Sequence, residues 1–349
     1  MMTIARSLTR MVLLLGVLMV PLSVKAASIN AADWQSYRTA FLDASGRIVD
    51  TGNNGISHSE GQGYGMWLAV LADDQANFEL IWSFTKTELL VRDDGLAAWK
   101  WDPRSTPHVS DINNATDGDI LIAQALALAA RQWGRQDLED AGRTIAKAVL
   151  DKAVVERGGR TLLLPAVSGF ADNDRPDGPV VNPSYYIFEA FPLLNALSPS
   201  PLWNKLAADG LAAMNGFAFG PRKLPADWVS VRTKPRPADG FAQEFGYNSV
   251  RIPLYLVRGG AGTPDLYTKM AAGMSLENGN VATFDLKSGT PKDVLSDAGY
   301  RMMPALLACK ASKTPIPPDL KTYASTLYYP STLHLLALSF VAQANQECL

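Results

Sequence analysis

The sequence predicts an all-α fold in which a ring of buried helices is enclosed by a second layer of more polar helices. Helical patterns follow one another along almost the whole chain, strand patterns are short, and the helices alternate between two kinds. One kind is apolar on nearly every face and must be buried, whereas the other has a polar side. Such alternation is typical of helical hairpins packed side by side, with one helix of each hairpin inside.

About a dozen helices are predicted. The inner helices are apolar almost all round and cover residues 60–71, 117–133, 183–197, 245–257, 297–309 and 331–344. The outer helices are shorter or more polar and cover residues 31–42, 77–90, 136–150, 201–214, 271–277 and 318–327. Apolar pieces at 161–164 and 281–286 predict small strands in the connections. The repeat spacing of about 50–60 residues is longer than that of common solenoid units, which favours a closed ring over an open array.

The N-terminal segment has the pattern of a secretory signal peptide. Arg6 and Arg10 precede an apolar run at 11–22, and Val24-Lys25-Ala26 supplies small residues for cleavage. The apolar run is shorter than the ~20 residues of a membrane span, and an uncleaved anchor is the alternative. We therefore expect residues 1–26 to be a signal peptide and residues 27–349 to be a single domain. The protein would be periplasmic or secreted, without membrane insertion after signal removal.

Composition and charge narrow the class of protein. The 349 residues are 47% hydrophobic and 19% charged, which is ordinary for a globular protein with a large core. Removing residues 1–26, with their three cations and no acids, takes the formal net charge from −2 to −5. No basic patch is evident, so nucleic acid is not expected as a partner.

The chain has two cysteines, Cys309 and Cys348. Export permits a disulfide between them. A bridge would close a loop of about 40 residues and stabilise the fold by about 4 kcal/mol in the chain-entropy model. Two unpaired thiols are the alternative.

Polar and aromatic residues cluster just before each predicted inner helix. The six clusters lie at residues 57–64, 113–117, 181–185, 244–251, 296–301 and 328–332. If the inner helices run parallel in a ring, all six clusters meet at one mouth. A groove lined by carboxylates, amides, tyrosines and arginine suits a carbohydrate, because flat rings stack on sugar faces and fixed polar groups bind hydroxyls.

Carboxylates stand at the mouths of two buried helices. Glu60 opens one helix, and Asp117 and Asp119 open another. The structural interpretation is a capping box formed by Ser57 and Glu60, with the aspartates capping the second helix. The functional interpretation makes Glu60 a general acid, held protonated by partial burial.

Other features weigh on this choice. The glycines at 61, 63 and 65 lower helix propensity but permit close approach, and the tryptophans at 99, 101 and 133 are predicted to be exposed. These features, in an exported protein, favour an enzyme. The histidines at 58, 108 and 334 lack metal-ligand spacing, so they are expected to be structural or solvated rather than metal ligands. No cofactor is expected, since hydrolysis by two carboxylates and water needs none. Trp228, Tyr328 and Tyr329 are either sugar platforms or core aromatics.

Two segments resemble glycoside hydrolase family 8. They are residues 115–133 and 59–66, supported by Asn182-Pro183-Ser184-Tyr185 and by the spacing of Tyr247, Val250 and Arg251. The resemblance spans about residues 31–343. It implies an (α/α)6 barrel of six inner and six outer helices and inverting hydrolysis of β-1,4-glucan. Within the family, the chain is similar to the periplasmic endoglucanases associated with bacterial cellulose synthesis. This implies a β-1,4-glucan substrate and the cellulose synthase machinery as a partner.

The resemblance also implies roles for individual residues. Glu60 matches the proton donor, and Asp117 matches an aspartate that acts in catalysis or holds the central sugar. We expect the substrate to be bound by the tyrosines, tryptophan, asparagine and arginine of the clusters, namely Tyr64, Trp101, Tyr185, Tyr247, Asn248 and Arg251. Arg251 lies one helical turn after Tyr247 and would hold a nearby carboxylate ionised.

The sequence departs from the family at Asn248, where several members have the aspartate that acts as base. Inversion needs a second carboxylate ~6.5–9.5 Å from the acid to activate water. An amide can orient water but cannot accept its proton. Three interpretations follow: Asp117 itself serves as the base, Asp239 or Glu244 replaces it, or the protein is a weakly active glucan-binding subunit.

The sequence thus predicts an exported endo-β-1,4-glucanase, with three alternatives. A chitosanase or xylanase would use the same scaffold, and a strongly acidic cleft would favour cationic chitosan. A glucan-binding subunit would bind polysaccharide without creating reducing ends. A helical toroid of terpene-cyclase or mannosidase type would lack the pattern at residues 115–133.

Overall fold

Residues 27–349 are described by the computed structural model, and the predicted signal peptide at 1–26 lies outside the described residues. The described part contains twelve α-helices, which confirms the all-α prediction. They are α1 (Ala31–Phe41), α2 (Ser59–Leu71), α3 (Gln75–Phe84), α4 (Thr116–Trp133), α5 (Gln136–Lys152), α6 (Phe191–Leu197), α7 (Pro201–Gly216), α8 (Tyr247–Val250), α9 (Ile252–Arg258), α10 (Pro264–Met274), α11 (Ala298–Ser312) and α12 (Tyr328–Ala344).

The inner helices form a closed ring. Helix α2 packs on α4, and α4 packs on α6 and on the 3₁₀ helix Pro183–Tyr185. That 3₁₀ helix contacts α8 and α9, α9 packs on α11, α11 on α12, and α12 returns to α2. Helices α3, α5, α7, α10 and α1 pack on the outside of this ring, against α2, α4, α6, α11 and α12 respectively. The expected (α/α)6 barrel is therefore confirmed.

The outer layer differs from the prediction in its last member. The helix predicted at 318–327 is present only as a 3₁₀ turn at Pro318–Leu320. The segment after the turn is rich in weak helix formers, Thr322, Ser325 and Thr326, and the backbone N–H of Thr326 is bonded to Ser331 Oγ at 2.8 Å instead of within a helix. The turn still covers the ring, because Leu320 is buried and the segment packs against α11.

Two inner helices are shorter than predicted. The predicted helix at 183–197 is divided into the 3₁₀ helix Pro183–Tyr185 and α6. The one at 245–257 is divided into α8 and α9, with Arg251 between them and Pro253 in the first turn of α9. Proline is favoured in the first turn of a helix, and Pro192 and Pro253 hold that position where α6 and α9 begin.

Ten short strands lie in the connections of the described chain, and three of the small sheets position the mouth of the barrel. Strand β1 (Ser57–His58) pairs with β2 (Lys100–Trp101) just before α2. Strand β8 (Glu244–Phe245) precedes α8 and pairs with β9 (Val281–Asp285), which pairs with β10 (Pro291–Leu295) ahead of α11. Strands β5 (Val180–Val181), β6 (Val229–Ser230) and β7 (Arg236–Pro237) form a third sheet. The fourth pair, β3 (Val154–Arg157) with β4 (Arg160–Leu163), and β9 confirm the two predicted strands.

Glycine allows α2 and α4 to approach closely. A Cβ atom on Gly63 would lie 2.5 Å from Leu121 Cβ, and one on Gly118 would lie 2.1 Å from Ser59 Oγ and 2.7 Å from Glu60 N. No side chain fits at either position without moving a helix. The glycines near Glu60 therefore have the close-packing role that the sequence suggested.

The C-terminal tail is tied to the barrel by a disulfide between Cys309 of α11 and Cys348. Of the two possibilities left open by the sequence, the structure contains the bridged form. Among the helices of residues 27–349, none is both long enough and apolar enough to cross a membrane.

Candidate active site

A cavity of about 750 Å³ opens at the N-terminal ends of the inner helices. All six predicted clusters contribute residues to its wall, as the sequence led us to expect. Its lining includes carboxylates, an arginine and several aromatic rings: Asp50, His58, Glu60, Trp99, Asp117, Tyr185, Tyr247, Asn248, Arg251, Asp297, Tyr300, Tyr328 and Tyr329.

Glu60 lies in the first turn of α2, and its carboxyl group is not used as a cap. The cap is His58, whose Nδ1 accepts a hydrogen bond from Gly61 N at 2.9 Å. Ser57 instead donates its hydroxyl to the carbonyl of Ile48. The capping box is therefore absent, and the Glu60 side chain is 18% exposed at the cavity.

Asp117 lies in the first turn of α4, where the N-cap residue is Ala115 and no side chain caps the helix. Its Oδ1 accepts from Gly118 N at 2.8 Å, and its side chain is only 2% exposed. Asp119 has a structural role, since it accepts from Ala97 N at 2.8 Å and from Asn114 Nδ2 at 2.9 Å, away from the cavity. Of the two aspartates, only Asp117 faces the cavity.

Arg251 joins the two carboxyl groups. Its Nη1 forms an ion pair with Glu60 Oε2, and its Nη2 lies 2.7 Å from Asp117 Oδ2. Nη2 also donates to Ser184 Oγ at 3.1 Å. The guanidinium is 1% exposed, so its geometry is fixed by these three partners. A planar, forked donor of this kind is suited to holding two carboxyl groups side by side.

The pKa values of Glu60 and Asp117 are shifted in opposite directions. Burial by itself raises the pKa of Glu60, but the charges of Arg251 and His58 outweigh it, and the pKa of Glu60 is lowered overall. Burial also raises the pKa of Asp117, and there the Glu60 charge adds to it, so the pKa of Asp117 stays raised despite Arg251. Burial therefore does not leave the pKa of Glu60 raised, contrary to the expectation from the sequence. Asp117 is the member of the pair whose pKa is raised, and its carboxyl group is within hydrogen-bonding reach of Glu60.

Tyrosine rings form a further part of the cavity wall. The rings of Tyr247 and Tyr300 meet edge to face with centroids 6.4 Å apart, and those of Tyr300 and Tyr329 are 6.0 Å apart. The Tyr329 hydroxyl donates to the carbonyl of Tyr247 at 2.8 Å, which links α12 to α8. Tyr247 is 46% exposed at the rim, while Tyr185 is buried at the floor. These rings provide flat surfaces on which sugar rings can stack.

Two of the eight predicted site residues do not line the cavity. Tyr64 is fully buried within the ring, where its hydroxyl bonds to that of Tyr255. Trp101 packs against Phe84 and His108 and donates its indole N–H to Glu88. Trp101 is the last residue of β2 and is directed toward Phe84 and His108, whereas the tryptophan at the cavity is Trp99, which precedes the strand. The assignment of Tyr64 and Trp101 to substrate binding is corrected accordingly.

The carboxylates considered as replacements for a base at position 248 also lie outside the cavity wall. Asp239 is exposed and pairs with Arg236 at 2.6 Å, and Glu244 pairs with Lys292. Asn248 does line the cavity, and its Nδ2 lies 3.3 Å from Oδ2 of the buried Asp227.

Several cavity residues were not predicted as site residues. Asp50 Oδ2 lies 3.2 Å from His58 Nε2, and this pair flanks Glu60. Asp297 and Tyr300 belong to the polar cluster at 296–301, but an aspartate just before a helix resembles an ordinary cap. His58 fits the expected structural role as a helix cap. In the described residues, no group of histidine, cysteine and acidic side chains is arranged to hold a metal ion.

Comparison with known proteins agrees with this geometry. The sequence profile for "Glycosyl hydrolases family 8" matches residues 7–343. The chain is 36% identical to an endoglucanase of Cellulomonas uda over 253 residues, which is 72% of this chain and 68% of that protein. It is 37% identical to a probable endoglucanase of Novacetimonas hansenii over 228 residues, covering 64% of this chain and 66% of that protein.

Solved structures show the same similarity over a longer span. The endo-β-1,4-glucanase CMCax of Acetobacter xylinum superimposes with a TM-score of 0.80 at 31% identity, covering 93% of this chain and 100% of that one. An endo-β-1,4-glucanase from an Achatina fulica gut metagenomic library gives a TM-score of 0.79 at 33% identity, covering 89% and 96%.

Proposed function

The chain belongs to glycosyl hydrolase family 8 and is a glycoside hydrolase, and on that premise we propose that it is an endo-β-1,4-glucanase acting with inversion. The observation that carries the proposal is the carboxyl pair of Glu60 and Asp117, held by Arg251 at the floor of an open cavity. The cavity has a volume of about 750 Å³ and several aromatic rings in its wall. The names of the relatives support a glucan substrate.

Glu60 is the proposed acid that protonates the glycosidic oxygen. We infer that the proton of the pair starts on Asp117, the group with the raised pKa, and that the hydrogen bond between the two carboxyl groups provides its path to Glu60. A sugar bound over the pair excludes water, which disfavours the ionised Glu60 and moves the proton toward it. Asp117 and Arg251 then hold the sugar next to the bond that is cut.

The rate of chain cleavage tests the role of Glu60. Glu60→Gln removes the transferable proton while keeping the shape of the side chain, so we expect kcat on carboxymethyl-cellulose and cellohexaose to fall about 10²–10⁴-fold with KM little changed. Reducing-end release measures the rate. A wild-type rate in this variant would remove Glu60 from the mechanism.

Glu277→Gln, at an exposed turn far from the cavity, is the matched control and should keep the wild-type rate. Glucan binding without any new reducing ends in the wild-type protein would instead favour the glucan-binding subunit. A panel of cellulose derivatives, mixed-linkage glucan, xylan and chitosan separates the glucanase from the xylanase and chitosanase alternatives.

The proposal also covers the configuration of the product and the place where the enzyme acts. Inversion predicts that the first product from cellohexaose carries an α hydroxyl at its new reducing end, which proton NMR detects before mutarotation. The N-terminal pattern supports export, with residues 27–349 as the mature single domain. The resemblance to endoglucanases of cellulose synthesis supports action on newly made glucan beside the synthase machinery.

A further inference from the structure

Among the described residues, four carboxyl groups line the cavity, and that of Asp297 is the one that no other described residue holds. We propose that Asp297 is the general base that activates the attacking water in this chain. This inference rests on the glycoside hydrolase activity proposed above. It gives this chain a base although position 248 holds an asparagine instead of an aspartate.

The other three carboxyl groups of the cavity are already engaged. Glu60 and Asp117 share the guanidinium of Arg251 and lie within hydrogen-bonding reach of each other. An inverting pair must be ~6.5–9.5 Å apart to admit the substrate and a water, so Asp117 is too close to Glu60 to be the base. Asp50 accepts from Gly52 N at 3.0 Å and contacts His58 Nε2 at 3.2 Å.

Asp297 is placed differently. It is the N-cap residue of α11, yet its side chain accepts no capping hydrogen bond. Only its backbone carbonyl takes part in the turn, accepting from Tyr300 N and Arg301 N at 3.1 Å. Within residues 27–349 its carboxylate forms neither an ion pair nor a side-chain hydrogen bond, although it lines the cavity. The structural role that an aspartate at this position would ordinarily have is therefore absent.

Asp297 begins an inner helix that does not neighbour either helix of the acid pair. Following the ring of α2, α4, the 3₁₀ helix Pro183–Tyr185, α9, α11 and α12, helix α11 is the third neighbour of α4 and the second neighbour of α2. Asp117 at the start of α4 and Asp297 at the start of α11 therefore stand on opposite sides of the mouth. In the proposed binding mode, the glucan chain passes between Glu60 and Asp297, which both line the cavity, with one face of the scissile sugar toward each carboxyl group.

Asn248 lies on the same side as Asp297. Its Nδ2 is directed to Asp227, which also accepts from Gly246 N and Ser249 N at 2.9 and 3.0 Å. This arrangement leaves the Asn248 Oδ1 as an acceptor for water. The rings of Tyr247 and Tyr300 meet edge to face, which links the segment of Asn248 to that of Asp297. We assign Asn248 to orient the water and Asp297 to take its proton.

In the proposed step, one water molecule cleaves one glycosidic bond. The water oxygen forms a bond to the anomeric carbon as the bond from that carbon to the glycosidic oxygen breaks. One water proton passes to the Asp297 carboxylate, and the Glu60 proton passes to the leaving oxygen. The products are a new reducing end with inverted configuration and a free 4-hydroxyl, and both carboxyl groups then exchange protons with solvent.

Asp297→Asn is the direct test. We expect kcat on cellohexaose to fall about 10²–10⁴-fold while the affinity for cellohexaose, measured by calorimetry, is unchanged. Asp265→Asn is the matched control, because Asp265 also lies in the first turn of a helix but is exposed and paired with Lys269. It should keep the wild-type rate. A wild-type rate in Asp297→Asn, or a loss of affinity instead of kcat, overturns the assignment.

Small-anion rescue gives a signature that a structural role would not produce. In Asp297→Ala, azide can enter the vacated space and attack the anomeric carbon from the side opposite the leaving group. We expect azide to restore turnover and to yield an α-glycosyl azide, identified by NMR and mass spectrometry. Glu60→Gln should give no such product, and its absence in Asp297→Ala argues against the base role.

The exchange Asn248→Asp with Asp297→Asn moves the carboxylate to the neighbouring site and keeps the total charge. If the double variant recovers at least part of the rate lost in Asp297→Asn, a base on the side of Asn248 and Asp297 is supported. This comparison remains informative if Asp297→Asn alone folds poorly. If the wild-type chain cleaves glucan, Glu60→Gln does not, and Asp297→Asn does, the base assignment alone fails. If the wild-type chain cleaves none of the polymers, the proposed function itself fails.

Discussion

Arg251 controls the site at the scale of single residues, because one guanidinium contacts both Glu60 and Asp117. A buried cation next to two carboxyl groups compensates one negative charge, so the pair keeps one proton. Burial and the neighbouring carboxylate direct that proton to Asp117, whose pKa is raised. In the proposed mechanism, Glu60 is ionised before substrate binds and becomes an acid once substrate covers the pair.

Asp117→Asn tests this distribution of the proton. An acid with a raised pKa binds more protons in the folded than in the unfolded state, so its contribution to stability is present at low pH and is lost as pH rises through its folded pKa. We expect the unfolding free energy of the wild-type protein to fall between about pH 4 and about pH 7 and the variant to lose this part of the slope. Urea titrations over this range measure it.

The same variant should change the pH dependence of activity. With an amide in place of the Asp117 carboxyl group, Glu60 keeps the ion pair with Arg251 that lowers its pKa but loses the neighbour that stores its proton. The decline of kcat/KM at high pH should therefore begin at lower pH than in the wild-type enzyme. An unchanged pH profile would contradict a proton shared by the pair.

At the scale of elements, the contact of α2 with α4 brings the two carboxyl groups together. Each helix contributes one acid in its first turn, and glycines at the crossing remove the Cβ atoms that would separate the backbones. Two helices that cross this closely transmit any displacement directly, since a packed interior has little free volume.

Gly118→Ala probes this contact. Its new Cβ would lie 2.7 Å from the backbone nitrogen of Glu60, so α2 must move. We expect the overpacking to destabilise the protein by about 1–3 kcal/mol. We also expect kcat to fall by about 10²-fold, because misplacement of an acid by about 1 Å has an effect of that size. Thermal unfolding and cellohexaose assays measure both effects.

Gly216→Ala is the control for helix propensity. Gly216 ends α7, and an added Cβ would meet nothing within 4 Å. Alanine is a better helix former by up to about 1 kcal/mol, so this variant should be neutral or slightly more stable and fully active. Equal behaviour of the two variants would show that the crossing of α2 and α4 tolerates a side chain.

At the scale of the whole molecule, the barrel is closed by contacts between distant parts of the chain. Helix α12 returns to α2 and α1 packs on α12, so the two ends of the described chain meet. The disulfide from Cys309 to Cys348 adds a covalent tie to this closure, across a sequence separation of 39 residues.

Replacing both cysteines by alanine measures what the tie contributes. The chain-entropy model gives a loss of about 4 kcal/mol in unfolding free energy for a loop of this length. The bridge lies far from the cavity in the barrel, so kcat on cellohexaose should not change. Reduction of the wild-type protein should lower its stability to that of the double variant, whereas equal stability of oxidised and reduced protein would refute the contribution.

The sequence by itself determined the arrangement of the helices and the position of the cavity. The alternation of apolar and amphipathic helices predicted the ring, because burial depends on which faces of a helix are apolar. The polar clusters before the inner helices predicted the cavity, since parallel helices bring their N-termini to one end. Residues 318–327 were an exception, because they form only a 3₁₀ turn and their threonine and serine side chains and backbone form other hydrogen bonds, such as that from Thr326 N to Ser331 Oγ.

Only the tertiary structure decided how the cavity residues divide their roles. The sequence presents Glu60, Asp117, Asp119 and Asp297 alike, as acids at the starts of helices. The partners of these carboxyl groups come from other segments. Arg251 forms ion pairs with Glu60 and Asp117, and Asn114 donates a hydrogen bond to Asp119. No described residue forms an ion pair or a side-chain hydrogen bond with the Asp297 carboxylate. Electrostatic interactions fall off with distance and depend on burial, so the protonation and the hydrogen-bonding partners of each carboxyl group follow from packing across the ring.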